Sequence, residues 1–339
     1  MKRQLAGLAA LLLATGTAHA ESYPPDAGTD RESDAYLAAA EAYLESLDLD
    51  DPGVAFRRLG GTTATNWAVL IGDRSVADLK CTSGNTDHHG AVIAYRLGRE
   101  LGFDIYPVAV YRDVDRTIGD RRVDEQCALK EWGTFLTQYY WTRETFGDTD
   151  SRDKRNLIAA LRCDSPQPQA SEPFRYYARS AYGHPGLPGM RRVPYSGESN
   201  LLAAARDFSN MMVVDTLIGN EDRFPGGNMF FRSVDTSHRV VNDSVIFDNV
   251  RLFSLDNEAA FKGATPATTH AARDLADHVS RFDAEMIGKL RALADDGERL
   301  GAITDGDPAL ADFIRAGIGF VLARYQEATA RCGEAEATF

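Results

Sequence analysis

The stretch "LIGNEDRFPGGNMFF", residues 217–231, sets three charged residues and an amide between two apolar runs. The first run closes at Gly219-Asn220. Glu221, Asp222 and Arg223 follow, then a Pro-Gly-Gly turn, then Asn228 and the second run. A polar turn between two core segments delivers chemistry to the rim of that core. An aspartate and an amide in this setting point to phosphoryl transfer, in which a protein mainly positions groups and stabilises charge.

That chemistry needs a glycine turn over the nucleotide and a lysine on its phosphates. It also needs a carboxylate to accept the hydroxyl proton, and oxygen ligands for a hard divalent cation. Candidates occur in chain order. Gly60 and Gly61 in "LGGTT" (59–63) make a turn between strands, and Lys80 ends the next strand. Asp222 follows a helix, Asn228 opens a strand, and Asp256 in "FSLDNEAAF" (253–261) ends a later one. A glycine turn or a lysine alone says little; the ordered set says more.

Working outward, Lys2 and Arg3 precede the apolar run "LAGLAALLLATGTA" and the small-x-small site "AHA". This pattern predicts a signal peptide over residues 1–20, with cleavage after Ala20 and a periplasmic or secreted product. The run is short and Ala/Gly-rich for a membrane anchor, and no later stretch predicts a span. The chain of 339 residues carries a formal charge of −13, and loss of Lys2 and Arg3 makes it more acidic. Such a charge argues against nonspecific nucleic-acid binding and against anionic membranes. Cys81, Cys127, Cys163 and Cys332 predict two disulfides in an oxidising compartment, with three pairings open. There is no Cys-x-x-Cys pair to suggest zinc.

Residues 21–32 read as a disordered linker, and Ser33 caps a helix whose Leu37, Ala40, Tyr43, Leu44 and Leu47 share a face. Residues 54–112 read strand, strand, strand, helix, strand, with turns at Gly60-Gly61 and Gly72-Asp73 and a helix end at Gly102. Beyond that the pattern turns helical. "EWGTFLTQYYW" and "RDKRNLIAALRC" predict helices, and residues 164–197 predict a long loop. A helix follows from about 199 to 217, then short strands near 229–232, 239–241, 245–247 and 252–255, then helices near 269–295 and 307–331.

The segments "DTLIGNEDRFPGGNMFF" and "LFSLDNEAAF" resemble the catalytic and metal segments of the atypical secretory-pathway kinases, the Golgi casein kinase and Four-jointed type. Actin-fragmin kinase and the phosphatidylinositol 4-kinases share a looser version. The segment "GAVIAYRLGRELGFDIYPVAVYR" resembles the helix-then-strand block of the same kinases, so the likeness covers roughly residues 54–112 and 200–262. It implies an α+β, two-lobed kinase-like domain over 33–335, with a strand-rich N-lobe to about 125 and a helical C-lobe from about 126. It also implies an ATP-dependent kinase using Mg²⁺ or Mn²⁺, acting on an unidentified protein or small-molecule hydroxyl. By position, Asp222 is the catalytic carboxylate, Asn228 and Asp256 are metal ligands, Lys80 contacts phosphate, and Gly60 and Gly61 cover the nucleotide.

Three positions depart from the pattern. Asn228 lies six rather than five residues after Asp222. The helix position for a lysine-pairing glutamate is Ala91, leaving Asp87, Glu100 or an acid from elsewhere to pair Lys80. The third residue of Asp-Asn-Gly is Glu258. Ala91 leaves open a pseudokinase that binds nucleotide or a partner without turnover, and a disulfide-stapled exported scaffold needs none of these residues. A HipA-type toxin kinase shares the Gly-Asn-x-Asp logic but works in the cytosol, against the signal peptide.

Plainer roles also remain for single residues. Lys80 beside Cys81 suits a strand end, and Arg223 suits a buried ion pair. His88 and His89 suit capping or surface roles, since adjacent helical residues point to different faces, and His270 and His278 suit a solvated helix face.

Overall fold

The computed structural model describes residues 33–59, 65–83, 87–131, 140–141, 152–166, 169, 172–178, 195–221, 223, 229–233, 238–241, 244–254, 257–263 and 265–339. The N-terminal part is a five-stranded antiparallel sheet in the order β1-β2-β3-β5-β4, formed by β1 (Val54–Arg58), β2 (Thr65–Ile71), β3 (Arg74–Cys81), β4 (Ala109–Ile118) and β5 (Arg121–Glu131). Helix α1 (Asp34–Ser46) precedes it, and the Ser33 hydroxyl accepts from the Tyr36 amide, as the sequence predicts for a cap. Helix α2 (His89–Leu101) lies between β3 and β4 and ends at Gly102.

The helices Asp34–Ser46, His89–Leu101, Leu201–Ile218 and Pro308–Cys332 meet expectation within a residue or two, and several other segments do not. Strand β4 starts at Ala109, later than the sequence implies. It turns at Gly119-Asp120 into β5, which carries the sheet past residue 125, the expected lobe boundary. The outer half of this hairpin, "RDVDRTIGDRRVDEQ", is charged on both strands and half solvated, so its alternation is weakly apolar. Tyr140–Trp141 form a strand, β6, where the sequence predicts a helix; residues 132–139 lie outside the described set. The predicted loop 164–197 contributes β7 (Pro173–Ala178) and the start of β8 (Tyr195–Asn200).

The C-terminal part is built on helix α4 (Leu201–Ile218), where every residue from Asp207 to Ile218 is buried. A helix apolar on all sides belongs at the centre of a large core. It packs against α2, α3 (Arg152–Ala160), α5 (His270–His278) and α8 (Pro308–Cys332). It also meets β12 (Val250–Ser254), which joins β9 (Met229–Ser233) and β6 in one sheet. Strands β10 (His238–Val241), β11 (Ser244–Phe247), β8 and β7 form another. Helices α6 (Ala284–Ala294) and α7 (Gly297–Ile303) complete the chain, and the predicted helix over 269–295 is split by Val279–Asp283 into α5 and α6. Among the described residues no helix is long and apolar enough to cross a membrane.

The four cysteines form two bridges, Cys81–Cys127 and Cys163–Cys332. The first joins directly paired residues of β3 and β5. The second fastens the chain just after α3 to the last residue of α8 across 169 positions. Replacing Cys163 and Cys332 by serine lowers the unfolding free energy by roughly 2–5 kcal/mol, because a long open loop gains entropy in the unfolded chain. An unchanged denaturation midpoint would show that this bridge does not form.

Candidate active site

Lys80 is the penultimate residue of β3, with only 3% of its side chain exposed, and its Nζ lies 2.9 Å from Glu258 Oε2. The other oxygen of the same carboxylate, Oε1, lies 2.7 Å from Nζ of Lys130 on β5. Lys80 pairs across the sheet with Ala128, and Asp78 pairs with Lys130, so all four share one face of the pleat. Asp78 is buried there as well. Ionised groups at this depth persist only when paired and hydrogen-bonded, since each loses several kcal/mol of hydration.

The acid beside Lys80 is therefore the residue that stands in the glycine position of the Asp-Asn-Gly pattern. Ala91 is buried near the start of α2. Of the other acids considered for the pairing, Asp87 accepts from His89, and Glu100 pairs with Arg299.

The loop bearing Glu258 is held on several sides. The Asp87 amide donates to the Glu258 carbonyl at 2.7 Å. Gly90 on α2 faces the Asn257 carbonyl so closely that a Cβ would stand 2.2 Å from that oxygen, which leaves room for hydrogen alone. Farther on, the Glu221 amide donates to Ala259 and the Phe261 amide to Ile218.

The segment after α4 is organised by one buried ion pair. Gly219 closes the helix at φ 63°, a left-handed conformation that disfavours any side chain. Its hydrogen atoms also face the Phe313 ring, 2.8 Å from where a Cβ would stand. The chain then turns back so that Arg223 Nε meets Asp215 Oδ2 at 2.9 Å and Nη2 meets Oδ1 at 3.1 Å. Asn220 Nδ2 donates to the same Asp215 carboxylate. Arg223 Nη2 also donates to Asn257 Oδ1, which accepts from Ser254 Oγ at 2.8 Å. Arg223 thus has the structural role expected of it, and it links the turn after α4 to the loop after β12. Burial, followed by the nearby charge of Asp215, pushes the Tyr106 phenol well above its ordinary range.

Of the residues assigned from sequence, Lys80 is placed in this buried cluster. Gly60, Gly61, Asp222, Asn228 and Asp256 lie outside the described residues. The described chain neighbours Glu221 and Arg223, and Ser254 and Asn257, are bonded as above.

His88 and His89 differ from expectation. His88 is the N-cap residue, with helical backbone angles, and His89 the first helical one, and their ring centroids nevertheless lie 4.0 Å apart. With Asp87 they offer ligand atoms within 4.8 Å of one another. However, His88 Nδ1 meets Thr82 Oγ1 at 2.6 Å and His89 Nδ1 meets Asp87 Oδ1 at 2.7 Å. Burial, then the neighbouring His89, lowers the His88 pKa. Burial works against the charge on Asp87, yet the hydrogen bonds from His89 hold its carboxyl below the usual range. His270 is not simply solvated: its Nδ1 lies 2.5 Å from Glu221 Oε2.

No family model matches the chain, and no curated protein matches it. Solved structures do. A hydra Fam20 structure with sugar superposes at a TM-score of 0.52 with 12% identity, over 91% of this chain and 93% of that one. A Golgi casein kinase structure gives 0.55 with 13% identity, over 88% and 79%. The fold is that of the atypical secretory-pathway kinases. A third structure, of the Golgi casein kinase with Mn/ADP bound, gives 0.54 with 11% identity, over 89% and 78%. At such identities the likeness concerns backbone architecture, while function depends on the site.

Proposed function

We propose that the protein is an exported, metal-dependent phosphotransferase that moves the γ-phosphoryl group of ATP to a hydroxyl of a protein or small-molecule acceptor. The observation that carries this reading is the buried Lys80–Glu258 pair on a secretory-kinase fold. It joins the strand lysine assigned to the phosphates with the segment that follows Asp256 in sequence. A lysine held in place by a carboxylate is ready to meet phosphate without reorganising.

In this reading Asp222 orients and deprotonates the acceptor hydroxyl, Lys80 neutralises phosphate charge, and the Gly60-Gly61 turn covers the nucleotide. Asn228 and Asp256 hold Mg²⁺ or Mn²⁺, an amide and a carboxylate being the oxygen donors such cations take. The bound cation supplies further neutralisation of the polyphosphate. Two disulfides among the described residues support an oxidising compartment, in keeping with the signal-like residues 1–20. The acidic chain has no evident role for nucleic acid.

The feature that pointed to an inactive kinase was the missing helix glutamate at Ala91, and Glu258 supplies that charge instead. The test is calorimetric titration of ATP in the presence of Mn²⁺ or Mg²⁺, followed by phosphate transfer to candidate acceptors read by mass spectrometry. Metal-supported binding with turnover is expected. Binding without turnover would establish a pseudokinase, and absence of nucleotide binding would leave a scaffold.

A further inference from the structure

We propose that Lys130 is a positioning residue for the nucleotide, which acts by holding Glu258 so that this carboxylate presents one oxygen to Lys80. The proposal rests on the kinase reading above and names a residue to which the sequence pattern assigns nothing.

Lys130 is 2% exposed, in a strand segment where Cys127, Ala128 and Leu129 are buried beside it. A buried ion pair is rarely better for stability than well-packed apolar side chains of similar volume. An ammonium at this position is thus a poor choice for packing alone. Its geometry indicates what it does. Glu258 divides its two oxygens between the two lysines, Oε1 to Lys130 at 2.7 Å and Oε2 to Lys80 at 2.9 Å. The backbone of the Glu258 loop is tied through the Asp87 amide and through Arg223 on Asn257. The carboxylate itself is oriented by the lysines. With Oε1 engaged by Lys130, rotation of the carboxylate is arrested, and Lys80 has a fixed partner.

The platform is rigid as well. Lys80 is next to Cys81, Lys130 lies three residues after Cys127, and the disulfide between these cysteines locks the register of β3 against β5. The backbone positions from which the two lysines extend are therefore fixed covalently. The buried Asp78 stands opposite Lys130 in the β3–β5 register, so this part of the sheet carries a second carboxylate as well as the two lysines. Lys130 accordingly contributes geometry rather than a surplus of positive charge. Groups that hold a phosphate-binding residue within a fraction of an ångström preserve its productive orientation.

A double-mutant cycle tests this on the full chain, with ATP affinity in Mn²⁺ measured by calorimetry and the melting temperature recorded for every variant. Lys130→Met weakens ATP binding about tenfold, the equivalent of one charged hydrogen bond. Made on top of Lys80→Met, it has little further effect, because it acts through Lys80. Lys130→Arg restores most of the affinity. Should Lys130→Met not fold, Lys130→Gln, whose shorter neutral amide does not replace the ammonium at Glu258, takes its place in the cycle. The proposal is overturned if wild-type affinity persists in Lys130→Met, or in Lys130→Gln where that variant replaces it, or if the loss adds in full to that of Lys80→Met. Wild-type protein that binds no ATP with either cation removes the kinase reading, and this inference with it.

Discussion

Asp222→Asn should bind ATP and Mn²⁺ much as the wild-type protein does and lose turnover by on the order of 10²–10⁴-fold, the loss typical for a positioned general base. The substitution keeps side-chain size and removes the proton acceptor. Asp256→Ala should fail differently, losing metal-supported nucleotide binding together with turnover. Without its cation ligand the polyphosphate charge is poorly neutralised in a chain of formal charge −13. Calorimetry on both variants beside a phosphate-transfer assay separates the roles. Equal loss of binding in both would mean that Asp222 also serves the metal. Full activity in Asp222→Asn would remove the mechanism.

The second large effect is on stability. Glu258→Ala strips the shared counter-ion from two ammoniums that are each no more than 3% exposed. Removing one partner of a buried ionic cluster leaves uncompensated charge, and the cost is about 3–5 kcal/mol. That is a large fraction of the 5–15 kcal/mol by which folded proteins are ordinarily stable. Glu258→Gln keeps an oxygen for one lysine and is milder. Chemical denaturation of the three proteins should rank wild type, Gln and Ala in falling order of midpoint. An Ala variant as stable as wild type would show that Asp78 or other groups suffice for both lysines.

Much of the fold was legible where local chemistry was strong. Ser33, Gly102 and Gly219 terminate helices as their residue types dictate, and α4 is apolar enough to be read as central. The β4–β5 hairpin was not legible, because Arg, Asp and Glu fill its solvated end and dilute the two-residue period. With it went Lys130, whose only signal was a lysine beside Glu131 inside the largely apolar run "CALKEW", in a strand the sequence did not reveal. For the site, Lys80, singled out from the sequence as a phosphate contact, is found in a buried ion pair, and Arg223 pairs with a carboxylate as its sequence reading expected. The partner of Lys80 was missed for a general reason. Each residue was compared with the position it occupies in a motif, whereas charge balance is decided by distance. Ala91 and Glu258 are 167 positions apart by number and read as two separate defects. In space, α2 rests on the Glu258 loop through Gly90, and Glu258 of that loop is the acid that reaches the lysine.

The bridge from Cys163 to Cys332 bears on what happens to this protein among proteases. A single backbone cut anywhere between those two residues leaves both pieces covalently joined, and they separate only on reduction. The stretch so enclosed contains α4, Arg223, Asn257 and Glu258. Wherever proteases cut exposed loops, such an arrangement lets a nicked molecule keep its parts together at the high effective concentration of an intramolecular pair. Damage to the chain then becomes a local event rather than the loss of the molecule.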